Sequence, residues 1–266
     1  MSRERGLALV SVLWGIAILS LIAAAMLSAS VTSAHLDRNS WNATRAGSAA
    51  DEAVSQSILA LLDARLAQQP RVDGTPFALT FDDVPVRVWI QDESGRINLN
   101  FAPKDQLQAL FVYAGLERND AGTLADRIVT LRTPIGAVGA VATFRAADEL
   151  LAIPGVTRAL FARIEPLITV FGQSGGINQR VAPRAVLRAL PGMDDDAIAT
   201  LLKQRDETHA AAMADTQNTA GSPLAIANSA FLITVETHVA ATRVVRTAVV
   251  RFTGDVTKPY LIEAWR

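Results

Sequence analysis

From Leu7 to Ala34 the chain has no Asp, Glu, Lys, Arg, His or Pro, and nearly every residue from Leu7 to Leu27 is aliphatic or small. A helix of about 20 such residues matches the roughly 30 Å hydrocarbon core of a bilayer. The flank before it carries Arg3 and Arg5 against Glu4, a modest positive excess that predicts a short cytoplasmic tail, with the bulk of the chain on the far side. A cleaved signal peptide would have an apolar core of about 7–15 residues and then a small-x-small site, which Ala29 to Ala34 supplies loosely. The apolar run is longer than that, and nothing breaks the helix after it. The first proline is Pro70, and Gly15 and Gly47 are the only glycines between Leu7 and Gln69. Val54, Ile58, Leu61, Leu62 and Leu66 continue an apolar stripe at steps of three and four, so the simplest reading is one helix of about 60 residues, roughly 90 Å long.

Formal charge is 25 basic against 26 acidic residues, so no net field draws the chain to nucleic acid or to an anionic surface, which favours protein partners. Cysteine is absent, which excludes disulfides, thiolate metal sites and a cysteine nucleophile.

After the helix, Gln69-Pro70 and Asp73-Gly74-Thr75-Pro76 mark a turn. Val84, Val86, Val88 and Ile90 then alternate with Pro85, Arg87, Trp89 and Gln91 as a strand, which Asp92-Glu93-Ser94-Gly95 ends. A helical pattern fills Ile97 to about Ala212, a polar loop follows over Ala214 to Pro223, and the chain closes on strand patterns at Phe231–Val239, Val244–Phe252 and Tyr260–Trp265. Strands on both sides of a helical block predict an α+β fold: a long helix against an antiparallel sheet, interrupted by a large α-helical insertion. The expected divisions are 1–6 (leader), 7–30 (transmembrane part of the helix), 31–96 (helix and first strands), 97–212 (insertion) and 213–266 (last strands).

The insertion repeats itself. Ile97-Asn98-Leu99-Asn100-Phe101-Ala102-Pro103, leading to Leu107, Ala109 and Leu110, matches Ile177-Asn178-Gln179-Arg180-Val181-Ala182-Pro183, leading to Leu187, Ala189 and Leu190, at a spacing of 80 with seven of fourteen positions identical. In each copy proline stands where a helix can begin without losing an amide donor. Each copy reaches a turn, Ala114-Gly115-Leu116 or Pro191-Gly192-Met193, and a third turn is Ile153-Pro154-Gly155-Val156. Helix, glycine turn, helix is similar to the helix-hairpin-helix module, which often binds DNA through turn amides and basic side chains. That signature carries a second glycine two residues on, where this chain has Thr157 and Asp194, and Asp194-Asp195-Asp196 puts carboxylates where a phosphate would sit. Over Ile97 to His209 the balance is 12 basic to 12 acidic, so counterion release offers little, and no nucleic-acid binding is expected.

Arg5-Gly6 followed by Leu7-Ala8-Leu9-Val10, with the long helix beyond, resembles the type IV pilins and their type II secretion relatives. The resemblance implies a peptidase cut after Gly6, an N-methylated mature terminus at Leu7, and a bacterial inner-membrane anchor with the bulk of the chain periplasmic. Most of that family have glutamate as fifth mature residue, where this chain has Ser11. With the large insertion and the stretch Asp92-Glu93-Ser94-Gly95-Arg96-Ile97-Asn98-Leu99-Asn100 before Ala102-Pro103, that departure resembles the K-type minor pseudopilins (GspK). These imply a non-enzymatic place at the tip of the secretion pseudopilus, initiating or capping it in support of protein export across the outer membrane. I-type and J-type minor pseudopilins are the implied partners, beside other pseudopilins and secreted substrates. The resemblance also raises calcium, for which Asp215, Asn218 and Asp255 are loop oxygens without a ligand spacing, so no ligands are assigned.

Two other classes stand against this reading. A membrane-anchored helix-hairpin-helix DNA receptor explains the span and the hairpins, and leaves the last strands and the acidic turn unexplained. An enzyme has only His209 near Asp206 and Glu207, and His238 near Glu236, with no nucleophile motif, metal spacing or phosphate loop; His35 is isolated.

Overall fold

A computed structural model of the chain describes residues 3–63, 70–132, 143–214 and 227–266. Helix α1 is Arg3–Leu62, 60 residues without a break. It starts inside the stretch expected to be a leader, because nothing between Arg3 and Leu7 opposes helix; Gly6 alone is a weak helix former. Ala46, Ala49, Ala50, Ala53, Val54, Ser57, Ile58 and Leu61 form its buried face. Four alanines on that face let the helix axis approach the sheet closely. Of the expected stripe, Leu62 is half-buried and Leu66 lies outside the described residues.

The sheet beneath has order β1-β2-β5-β6-β7 and is antiparallel throughout. Its strands are β1 (Phe77–Phe81), β2 (Val84–Asp92), β5 (Ala230–Val239), β6 (Thr242–Phe252) and β7 (Tyr260–Trp265). The expected β2 and last three strands are present to within two residues at each end. Strand β1 is an addition: Phe77, Leu79 and Phe81 alternate, but five residues between a proline and two aspartates are a weak signal. Those aspartates, Asp82 and Asp83, both have positive φ, the backbone of a tight hairpin turn in which aspartate is better tolerated than most side chains. Val86, Val88, Ile90, Ile233, Val235, Val250 and Phe252 meet Val54 and Ile58 of α1 in one core.

A second core belongs to the segment between β2 and β5. Helices α2 (Lys104–Tyr113), α3 (Arg118–Arg132), α4 (Arg158–Ile164), α5 (Arg184–Ala189) and α6 (Asp195–Ala214) surround Leu99, Leu107, Leu110, Phe111, Leu124, Ile128, Leu150, Ile164 and Leu187. The expectation of helix throughout Ile97 to Ala212 needs correction. Strands β3 (Ile97–Asn98) and β4 (Ile168–Thr169) pair in parallel, and the chain from Val170 to Pro183 has no helix. The glycines at 172, 175 and 176 and the prolines at 166 and 183 account for that gap.

Among the described residues, no helix is long and apolar enough to cross a membrane. The span expected over residues 7–30 includes side chains that lie outside them.

Candidate functional site

Among the described residues, exposed apolar side chains gather on α1 between Leu13 and Met26. Successive residues of a helix turn by about 100°, so Leu13, Trp14, Ile16, Ile18, Leu19, Leu21, Ile22 and Met26 project on every side. All are exposed, Trp14 at 68% and Leu21 at 73%, and so are Leu36 and Trp41 farther along. Gly6, Leu7 and Ser11 lie on this helix, with their side chains outside the described residues. Among the described side chains of α1, full burial by the chain's own head begins at Ala46, where the Thr237 hydroxyl donates to the Ala46 carbonyl at 3.2 Å.

The stretch from Asp92 to Asn100 is the joint between head and insertion, and nearly every residue in it has an assignment. Asp92 caps a 3-10 turn over Glu93–Gly95 by accepting from the Ser94 amide at 2.8 Å. Burial raises the Asp92 pKa, and the Ser94 contacts pull it back part of the way. Glu93 is buried and paired with Arg96 at 3.1 Å, while Arg96 also donates to the carbonyls of Glu165 and Pro166. Asn98 accepts from the Asn100 amide, and the Asn100 side chain accepts from Phe144 N–H at 2.7 Å and donates to the Phe144 carbonyl at 2.9 Å. The two halves are stitched by Asn178 N–H to the Ser94 carbonyl at 2.8 Å and the Gln91 amide to the Val181 carbonyl at 2.9 Å. Arg251 of β6 reaches the Phe171 carbonyl at 2.6 Å, and Arg71 bridges Asp73 and Asp206 of α6. Asp73 is half-buried, which would raise its pKa, but hydrogen bonds from Arg71 and Thr75 outweigh this and hold it below the usual range.

Gly95 sits in this joint with no room for a side chain. A Cβ there would stand 2.7 Å from the Val181 carbonyl oxygen and 2.9 Å from the Ala182 Cα, both backbone atoms that cannot swing aside. Gly95→Ala is expected to destabilise the protein by about 1–3 kcal/mol, the usual size of an overpacking penalty. Gly176→Ala, whose Cβ would meet only the Ser174 hydroxyl at 3.4 Å, is the matched control with little change. Urea unfolding of both variants checks this.

The 80-residue repeat is a repeat of structure. Asn98 and Asn178 each accept from the amide two residues on, and Pro103 and Pro183 each precede the first residue of α2 and α5. Arg132, at the end of α3, donates to the carbonyls of Leu99, at 2.8 Å, and Ala102. Arg205, in α6, donates to those of Gln179 and of Ala182, the latter at 2.9 Å. Burial lowers the pKa of both arginines. These two residues carry the repeat's architecture and escaped the sequence reading, because their offset is not 80 and an arginine in a helix looks like a solvated one.

Gly115, Gly155 and Gly192 all have positive φ, as the three turns require. Thr157 caps α4 by accepting from the Leu160 amide, and Asp194 accepts from the Ala197 amide at 2.7 Å, so the residues in place of a second glycine are helix caps. The first two turns hold each other: Arg127 of α3 donates to the Pro154 carbonyl, and Arg163 of α4 donates to the Ala114 carbonyl at 2.9 Å.

The remaining residues singled out do not converge. Asp215 and Asn218 lie outside the described residues; Asp255 is exposed and accepts from the Thr257 amide and hydroxyl, which lower its pKa. Among the described residues no group of three His, Asp or Glu could hold a metal ion. His238 stands 3.5 Å from Glu236, whose oxygen also pairs with Arg243 at 2.5 Å, on an exposed strand end. His209 lies on α6, where Asp206 is taken by Arg71 and Glu207 by Lys203.

No family profile matches the chain, and no curated protein matches it. Among solved structures it is similar to a chain in the crystal structure of the GspK-GspI-GspJ complex from the enterotoxigenic Escherichia coli type 2 secretion system. That similarity has 15% sequence identity and a TM-score of 0.46, over 89% of this chain and 98% of that one. A likeness of that size leaves function to be argued from the residues themselves.

Proposed function

We propose that this chain is a K-type minor pseudopilin of a type II secretion system, which initiates or caps the pseudopilus tip and supports export of proteins across the outer membrane. The observation that carries this is α1: one unbroken helix whose end is seated on an antiparallel sheet and on which Leu13, Trp14, Ile16, Ile18, Leu19, Leu21 and Ile22 project on all sides. An uncovered apolar helix that wide is unstable in water, and lipid followed by like helices of neighbouring subunits would cover it. The uncharged run from Leu7 to Ala34 behind Arg5-Gly6 supports a single-pass anchor in the bacterial inner membrane with a periplasmic head.

Ser11 supports the place at the tip. A carboxylate in the bilayer is costly unless a neighbour pairs it, and a subunit with none above it has no use for one. The insertion also supports it, since its bulk would obstruct a subunit stacked above. I-type and J-type minor pseudopilins would pack below, along α1. The role is one of assembly, without catalysis. The DNA-receptor alternative is disfavoured by the hairpins, where Arg127 and Arg163 are turned to carbonyl oxygens and Asp194 to a helix amide.

The test is the mature terminus. Mass spectrometry of membrane-extracted protein should find a chain beginning at N-methylated Leu7, and an intact leader, or a terminus near Ser33 or His35, rejects the reading. Co-purification with the I-type and J-type chains tests the place in the filament.

A further inference from the structure

The insertion leaves the head at the end of β2, through the turn at Glu93–Gly95. Two bodies with separate cores, joined by polar contacts, ordinarily move relative to one another. Here a row of contacts across the end of the sheet opposes that motion. At its centre the Gln91 amide donates to the Val181 carbonyl, and Asn178 N–H donates to the Ser94 carbonyl. On one side, residues 71–75 run along the edge of β2 that β5 does not occupy. Gly74 N–H donates to the Ile90 carbonyl, Asp92 N–H donates to the Val72 carbonyl, and Asp73 stands opposite Gln91. On the other side lies β6, beyond β5. The backbones that carry Arg71 and Arg251 are therefore three spacings of about 4.8 Å apart, with the joint between them.

The two arginines are built alike. Arg71 is held by a carboxylate of its own body: Nε and Nη2 donate to Asp73 at 3.2 and 2.6 Å, and Nη1 is left to reach Asp206 of α6 at 2.7 Å. Arg251 is held by Glu263 of β7, through Nε and Nη2 at 2.5 and 3.0 Å, and Nη2 also reaches the Phe171 carbonyl at 2.6 Å. An exposed arginine that is free to move gains little from an ion pair, because the pairing immobilises it. A fork already fixed by one carboxylate has lost that freedom before it meets the second body. We propose that Arg71 and Arg251 are two stays that stop the insertion from swivelling about the joint, so that it moves with the head and α1 as one body. A body tied at one point turns about it, and ties on both sides of that point oppose the turn. The stays are polar, so they set a direction without merging the two cores. Their use rests on the pseudopilin reading: in a tip subunit they pass the motion of the helix to whatever the insertion meets.

The chain has no cysteine, so two introduced thiols can be spin-labelled alone and their separation measured by pulsed electron resonance on the full chain in detergent. Val245→Cys, exposed on β6, with Lys203→Cys, exposed on α6, reads across the joint; Arg118→Cys with Lys203→Cys reads within the insertion. The expected result is one narrow distance across the joint, widened about twofold by Arg71→Met with Arg251→Met, while the distance within the insertion keeps its width. Arg188→Met, which breaks an exposed pair inside the insertion, should widen neither. A broad distance across the joint in the parent, or an unchanged one in the double variant, overturns the proposal. If the double variant does not fold, each single variant is read in the same way. In a secreting strain the double variant should reach the membrane at the parental level and export several-fold less. Undiminished export beside a widened distance overturns the passing of motion through the stays. A parent that supports no export overturns the pseudopilin reading instead, and the distances still decide the stays.

Discussion

Phe111→Ala is expected to lower the stability of the insertion by about 3–5 kcal/mol, the cost of emptying a large buried site that its surroundings only partly refill. Phe111 is fully buried between α2 and its neighbours, in a core that shares no residue with the one under α1. The two cores can therefore be read separately. Trp14, Trp41, Trp89 and Trp265 all lie outside the insertion, so tryptophan fluorescence follows the head while far-ultraviolet circular dichroism includes the helices of the insertion. In urea the variant should lose part of its helical signal well before the parent, with the fluorescence transition shifted much less. Coincident and equally shifted transitions would mean that the joint at Asp92–Asn100 couples the cores into one cooperative unit.

The second large effect concerns the paired arginines. Arg132→Met keeps most of the aliphatic stem and removes the fork that serves the Leu99 and Ala102 carbonyls. Each buried carbonyl left without a donor costs about 1–3 kcal/mol. Arg205→Met should do the same at Ala182 of the second copy, with a smaller loss overall, since the Gln179 carbonyl it also serves is exposed to water. Lysine should rescue either position only in part, because a single ammonium does not reproduce the planar fork between two carbonyls. The two arginines serve separate turns, so the double variant should be additive to within about 0.5 kcal/mol in equilibrium unfolding. A strongly non-additive pair would show that the two repeats brace one another.

Much of this molecule was legible in its residues. The absence of proline before Pro70 was enough for a helix of about 60 residues, since nothing else in the run opposes helix. Period-two alternation located β2, β5, β6 and β7, and glycine located the three turns of the insertion, where positive φ leaves little choice of side chain. Local rules act over a few residues, and these features are local. What only the tertiary structure decided is nonlocal. Strand β1 was too short to announce itself, and the pairing of β3 with β4 joins residues 71 apart, Ile97 with Ile168. The fork of Arg132 and the tight seat of Gly95 against Val181 depend on which backbone passes close by, and no window of sequence contains both partners. The helix's division into a seated end and an exposed stretch from Leu13 to Ile22 was decided in the same way: both parts read as helix, and only the sheet's position determines that full burial begins, among the described side chains, at Ala46.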